Sequence, residues 1–205
     1  MYERAAVRVW HEGKGFLWDI PILQAVHATA SPWLDRLAIA LTPLGVFWGV
    51  FPASVAIGVV LLYRRNWRSL LYLVVTLLGS VAINHGTKLI FHRERPNLWE
   101  VFTHELDYAF PSGHAMSSMT FAVVLLVLLW GKPGSWLAAS AGGLFVVTIG
   151  WTRLYLGVHY PSDVLGGWLL ALGWTMVMAW LIRPVERSSG DRNSMPEIAA
   201  TVEPD

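Results

Sequence analysis

Five stretches of the chain carry no Asp, Glu, Lys or Arg: Leu37 to Tyr63, Ser69 to Thr87, Tyr108 to Gly131, Pro133 to Thr152 and Val164 to Ile182. A helix that crosses the hydrocarbon core of a bilayer needs about 20 mostly apolar residues. Each stretch has room for one such helix, so the pattern predicts five spans, near 44–63, 69–90, 113–130, 134–152 and 161–183. The expected fold class is all-α, a polytopic membrane helical bundle.

The flanks read differently. Residues 16 to 45, FLWDIPILQAVHATASPWLDRLAIALTPLG, set Asp19, Asp35 and Arg36 among apolar residues, with Pro21, Pro32 and Pro43 dividing them. Charges inside a lipid-facing helix cost several kcal/mol, so region 1–43 is expected to contribute one or two amphipathic helices lying on the interface. A sixth span there is the alternative. The first fifteen residues mix charged and apolar positions without a signal-peptide core, so the first span is expected to direct its own insertion. After Pro184 the chain is polar, with little to bury, and 185–205 is expected to be a disordered cytoplasmic tail. Residues 1–184 are expected to form a single membrane-embedded domain.

Composition agrees with this pattern and narrows the function. Hydrophobic residues make up 55% of the 205 and charged residues 14%, against about a quarter charged in soluble domains. Trp67, Trp130, Trp136, Trp151 and Trp180 lie near the predicted span ends, where indoles favour the interface; Trp168 and Trp174 fit core packing better. A formal net charge of +1 offers no electrostatic case for a nucleic-acid partner. With no cysteine in the chain, disulfides, thiol catalysis and thiolate metal sites are excluded.

Orientation follows from the short loops. Arg64, Arg65 and Arg68 lie between the first two spans, Lys132 between the third and fourth, and Arg183, Arg187 and Arg192 after the fifth. Alternation puts all three groups on one side, which the positive-inside rule makes cytoplasmic. The opposite side then receives Lys88, Arg93, Arg95, His114, Arg153, His159 and Asp163 together.

Three short motifs on that side carry the candidate chemistry. In KLIFHRERP, Lys88 and Arg95 can be ordinary cations at a helix end, stabilised by the helix dipole; equally, an arginine fork and a lysine point charge form an anion clamp. In PSGH, Ser112 has the position of a helix cap, while Gly113 leaves the backbone N–H groups of a helix start open to an anion and His114 stands beside them with a proton to give. In TRLYLGVHYPSD, Pro161 suits a first helical position, which puts Asp163 in the first turn. Asp163 can merely complement the helix dipole, or reach the His159 imidazole and fix its tautomer, leaving the other ring nitrogen free to attack phosphorus.

Taken jointly, Lys88-x6-Arg95-Pro96, Pro111-Ser112-Gly113-His114 and Arg153-x5-His159-x3-Asp163 resemble the three-part signature of the type 2 phosphatidic acid phosphatase and vanadium haloperoxidase superfamily. The bacterial membrane lipid phosphatases, of the phosphatidylglycerophosphatase and undecaprenyl-diphosphatase type, are the branch most similar. The resemblance implies that Lys88, Arg95, Ser112, Gly113 and Arg153 bind phosphate, that His159 is the nucleophile and forms a phosphohistidine, that His114 protonates the leaving oxygen, and that Asp163 orients His159. It implies no metal or other cofactor. Thr152 stands where the family pattern usually has serine, a hydroxyl capable of a similar contact.

The expected function is hydrolysis of a lipid phosphate or diphosphate, with undecaprenyl diphosphate, phosphatidylglycerophosphate and phosphatidic acid as candidate substrates, at the extracytoplasmic face of the cell membrane. Three alternatives stand beside it: a metal site using His85, His92 and His104, a non-catalytic lipid-phosphate carrier or transporter, and a haloperoxidase.

Overall fold

The computed structural model describes residues 15–99 and 107–184, and among them every regular element is helical. In chain order these are α1 (Asp19–His27), α2 (Pro32–Leu41), a 3-10 turn (Thr42–Gly45), α3 (Val50–Tyr63), α4 (Trp67–Phe91), α5 (Gly113–Leu128), α6 (Ser135–Tyr155) and α7 (Pro161–Ile182). The expected tail at 185–205 and the segment before Gly15 lie outside the described residues.

Local chemistry sets the ends that matter for the site. Asn66 caps α4, its side-chain oxygen accepting from the Ser69 N–H at 3.2 Å. At its other end α4 stops where His92 takes a left-handed conformation, φ 45°, one turn past Lys88. Pro161 opens α7 at the first helical position, where its missing N–H costs nothing.

Helix α5 is the centre of the bundle and packs on α4, α6 and α7. Its Val124 and Leu128 join Tyr72 and Leu73 of α4 and Met178 of α7 in one apolar cluster. Some polar groups inside the bundle pair across helices: Ser80 Oγ lies 2.8 Å from Thr120 Oγ1, and the Trp174 indole donates to the Thr76 carbonyl at 2.9 Å. Two glycines permit close approach. A Cβ at Gly79 would stand 2.2 Å from the Trp174 ring, and one at Gly167 would stand 2.8 Å from the Ser112 carbonyl. The second contact brings α7 against the start of α5, where the site lies.

Among the described residues four stretches are long and apolar enough to cross a membrane: Pro32–Tyr63, Trp67–Phe91, Ser135–Tyr155 and Pro161–Ile182. Gly113–Leu128 is a shorter apolar helix of 16 residues. The span expected at 44–63 is continuous α-helix only from Val50; before it the chain turns through Thr42–Gly45. Gly49 is required at that turn, since a Cβ there would lie 2.2 Å from the Leu44 carbonyl oxygen. Trp67, Trp130, Trp136 and Trp180 are exposed on the outside of the bundle.

Within the N-terminal region Asp19 does not face water: its side chain is fully buried and points into an ionic cluster with Arg93 and Ser162. A buried carboxylate is tolerated only with a countercharge and hydrogen bonds, and it has both. Asp35 of α2 is held from the other side by the Tyr155 hydroxyl, which donates to it at 2.6 Å.

Candidate active site

The three sequence motifs meet at one end of the bundle, joined by hydrogen bonds to their backbone. The Ser112 N–H donates to the Asp163 carbonyl at 3.0 Å, tying the start of α5 to that of α7. Arg95 Nη1 donates to the Val158 carbonyl at 2.8 Å, tying the segment after α4 to the loop before α7. The Asn84 amide donates to the Pro111 carbonyl at 3.2 Å and anchors the PSGH turn on α4. At the far end of the same helices, Arg64, Arg65, Arg68 and Lys132 line a separate basic hollow.

His159 sits in the loop between α6 and α7 and is 1% exposed. Its Nδ1 faces Asp163 Oδ2 at 3.5 Å, and its Nε2 lies 3.1 Å from Arg95 Nη1. Asp163 is fixed from below, its Oδ2 accepting from the Tyr160 N–H at 2.8 Å, the return bond of a capping box. Burial is the largest influence on the His159 ring and pushes its pKa well below the ordinary histidine value. The positive charges of Arg95, Arg153 and Lys88, together with His114, push the same way. Both influences favour the uncharged ring.

Those cations are held by the fold. Lys88, in the last turn of α4, is buried and pairs with Asp107, and Arg95 pairs with the other oxygen of the same carboxylate. Arg95 Nε also donates to the Asp107 carbonyl at 2.9 Å. Burial works against ionisation of Asp107, but hydrogen bonds and charge from Lys88 and Arg95 outweigh it and hold the carboxyl below its usual range. Arg153, 2% exposed, donates through Nη1 to Thr42 Oγ1 at 2.7 Å.

Ser112 has the cap position at the start of α5, yet its hydroxyl makes no capping hydrogen bond. It is fully buried and, among the described residues, finds no partner. Leaving a buried hydroxyl unsatisfied costs about 1–3 kcal/mol, so capping does not account for this serine. Gly113 begins the helix, and a Cβ there would meet only the Asn84 side chain, at 3.5 Å; packing does not demand glycine either. Gly113, His114, Lys88 and Asp107 all line one cavity of about 570 Å³ that continues between α3, α4 and α5 past Val50, Ser54 and Leu77. Lys88, Asp107, Gly113 and His114 give it a polar end, and its long wall is apolar.

Several polar residues here were not assigned to the site by sequence: Thr42 and Asp107 contact Arg153, Lys88 and Arg95, Asn84 holds the PSGH turn, and Arg93, noted only as an outward cation, contacts Asp163 directly and links it to Asp19 and Ser162. Of the three histidines considered for a metal, the two described ones stand apart from any metal-binding group. His85 lies exposed on α4, His92 packs edge-on to Tyr108 with ring centroids 4.6 Å apart, and His104 lies outside the described residues. Among the described residues no group of three or more His, Asp and Glu is arranged to hold a metal ion.

Comparison with known proteins places this arrangement. Residues 69–187 match the family described as the PAP2 superfamily. The chain is 33% identical over 161 residues to phosphatidylglycerophosphatase B of Bacillus subtilis, covering 75% of this chain and 78% of that protein. It is 27% identical over 158 residues to undecaprenyl-diphosphatase of Sulfolobus acidocaldarius, covering 75% of this chain and 73% of that protein. Among solved structures, the transmembrane PAP2-type phosphatidylglycerolphosphate phosphatase of Bacillus subtilis superposes with a TM-score of 0.73 at 30% identity, over 82% of this chain and 86% of that one. With its family match over more than half the sequence and its helices in the same arrangement as that structure, the chain belongs to the PAP2 superfamily, as a membrane phosphatase that hydrolyses phosphate esters.

Proposed function

We propose that this protein dephosphorylates a long-chain lipid phosphate or diphosphate at the extracytoplasmic face of the membrane, by double displacement through a phosphohistidine. The observation that carries this reading is the His159 ring: a carboxylate faces one nitrogen, a cation faces the other, and three basic side chains act on it.

In the first step His159 Nε2 attacks phosphorus, the bond to the leaving oxygen breaks, and His114 gives that oxygen its proton. In the second, His114 takes a proton from water, the resulting hydroxide attacks the phosphohistidine, and the P–N bond breaks to release inorganic phosphate. Asp163 holds the proton on Nδ1 and offsets the positive charge the ring acquires. Lys88, Arg95 and Arg153 stabilise the equatorial oxygens, with the Ser112 hydroxyl and the first N–H groups of α5 completing the cradle.

The lipid part of the substrate follows from the cavity, whose wall along Val50, Ser54 and Leu77 suits an acyl or prenyl chain entering from the bilayer. Relatives carry the names of a phosphatidylglycerophosphatase and an undecaprenyl-diphosphatase, which makes phosphatidylglycerophosphate and undecaprenyl diphosphate the first lipids to assay, with phosphatidic acid beside them. Orientation rests on Arg64, Arg65, Arg68 and Lys132 clustering at the end opposite the site, the end the positive-inside rule assigns to the cytoplasm.

The deciding experiment is phosphate release from these lipids by purified protein and by His159→Ala. Turnover by the wild type, with loss of about a thousandfold or more in the variant, supports the reading. Equal release by both would remove His159 as nucleophile, and no release from any lipid would favour a carrier that only binds phosphate.

A further inference from the structure

Arg93 lies two residues from Arg95, but its side chain serves a different purpose. It is 4% exposed and bridges two buried carboxylates. Nη1 donates to Asp163 Oδ1 at 2.5 Å and Nη2 to Asp19 Oδ2 at 2.8 Å. The guanidinium carbon lies 4.4 Å from the centre of the Tyr160 ring, and Nη1 also donates to Ser162 Oγ at 2.7 Å.

Asp19 gathers the other side of this cluster. Its Oδ2 accepts from the Ser162 hydroxyl at 2.6 Å and from the Phe16 N–H at 2.7 Å, and its Oδ1 from the Ser162 N–H at 2.9 Å. The N-terminal helix α1 is thereby pinned to the first turn of α7 through a carboxylate rather than by apolar contact alone. Gly15 closes over the pair at φ +80°, where a Cβ would stand 2.4 Å from Arg93 Nη2.

We infer that Arg93, held by Asp19, is the positioning residue of the Asp163–His159 pair. The inference rests on the reading of His159 as nucleophile and Asp163 as its partner. The two Asp163 oxygens are engaged differently. Oδ2 faces His159 and accepts from the Tyr160 N–H, while Oδ1 is taken by Arg93. Occupying Oδ1 fixes the carboxylate plane and so the direction in which Oδ2 meets the ring.

Charge gives Asp19 a second role. One guanidinium shared by two carboxylates leaves the cluster net negative. Asp163 keeps enough of its charge to support the imidazolium that forms when His159 attacks phosphorus. Were Arg93 paired with Asp163 alone, the two would neutralise each other and the ring would gain less.

The test is a mutant cycle on the purified full-length chain, assayed for kcat and KM with a lipid phosphate, with a thermal melt for each variant. Arg93→Gln should lower kcat by about 10- to 100-fold, the range seen when the outer partner of a functional imidazole is lost, with KM changed less than about twofold. Arg93→Lys should fall between, because an ammonium cannot span both carboxylates in the same plane. In an Asp163→Asn background, Arg93→Gln should cost little further, since a residue acting through Asp163 has nothing left to position.

A full 10- to 100-fold loss in both backgrounds would make Arg93 a structural element or a direct phosphate ligand and overturn the inference. So would Arg93→Gln at wild-type kcat. If Arg93→Gln does not fold, Asp19→Asn carries the same comparison: loss in the wild-type background and none beyond Asp163→Asn is expected, and equal loss in both overturns it. Wild-type turnover by Asp163→Asn itself would instead remove the reading of the His159–Asp163 pair, a distinct result.

Discussion

Arg95 Nη1 and His159 Nε2 stand 3.1 Å apart. A guanidinium nitrogen can only donate, so Nε2 presents its lone pair toward Arg95, and the ring hydrogen belongs on Nδ1, toward Asp163. In the proposed mechanism this is the tautomer that leaves Nε2 to attack phosphorus, with Asp163 Oδ2 3.5 Å from Nδ1 on the other side of the ring. Arg95 is also bound to Asp107 and to the Val158 carbonyl, which fixes the guanidinium beside the His159 ring.

The depressed pKa of His159 has a consequence for pH dependence. Burial first, then Arg95, Arg153 and Lys88, disfavour the protonated ring in the fold. The unfolded chain therefore takes up this proton earlier on acidification. The contribution to stability is complete above the unfolded value of about 6.5 and is lost as pH falls below that toward the folded value. Activity should follow the same ring: the acid limb of kcat/KM is expected below about pH 6.5, and a decline should appear on the alkaline side, where the proton for the leaving oxygen is gone. A pH–rate profile checks both. An acid limb at or above about 6.5 would mean that His159 titrates like an exposed histidine.

Much of this site was legible because its parts recur at fixed spacing. Asp163 four residues after His159, with Pro161 between them, placed both groups at the start of a helix, and that is where they lie. The charge-free intervals located the helices, since a bilayer excludes charge from lipid-facing positions. What escaped was pairing over long distance. Asp19 and Arg93 are 74 positions apart, and nothing in an amphipathic pattern tells a carboxylate facing water from one buried against a guanidinium. Thr42 and Asp107 escaped for a related reason. Each is an ordinary polar residue in a turn or loop until the fold sets it against Arg153 or Lys88.

Asp107 occupies two of the cations that the proposed function assigns to phosphate. Its carboxylate pairs with Lys88 and with Arg95, so an anion entering the cradle has to compete with it. Asp107→Asn removes the competing charge while keeping the size. The expected outcome is a KM, and an inhibition constant for inorganic phosphate, lower by about 3- to 10-fold, the upper figure corresponding to about 1.4 kcal/mol, with kcat little changed. Steady-state kinetics with phosphate as inhibitor checks it. A higher KM would instead make the carboxylate a template that holds Lys88 and Arg95 in place.

Ser112 separates stability from function. Its hydroxyl is buried, makes no capping bond and has no partner among the described residues. Ser112→Ala removes an unsatisfied polar group at almost no change in volume. The protein should be as stable as the wild type or more so, by up to about 1 kcal/mol, while KM rises because the phosphate loses a donor. A thermal melt and a substrate titration on the same preparation decide the matter. Loss of stability would show that the hydroxyl already has a structural partner.

The apolar wall beyond the cradle can be tested independently of the chemistry. Ser54 on α3 faces the cavity of about 570 Å³ from the side opposite α4, and its hydroxyl has no hydrogen-bond partner among the described residues. Ser54→Phe fills that space without touching Lys88, Arg95, His114 or His159. A substrate whose chain lies along Val50 and Leu77 should then bind less well. Burying each methylene contributes about 0.8 kcal/mol, so displacing two or three of them should raise KM for a long-chain lipid phosphate by about 10- to 50-fold. A short, water-soluble phosphate ester reaches only the polar end and should be hydrolysed as before. The ratio of the two kcat/KM values is the readout, and an equal fall for both substrates would place the lipid chain elsewhere on the bundle.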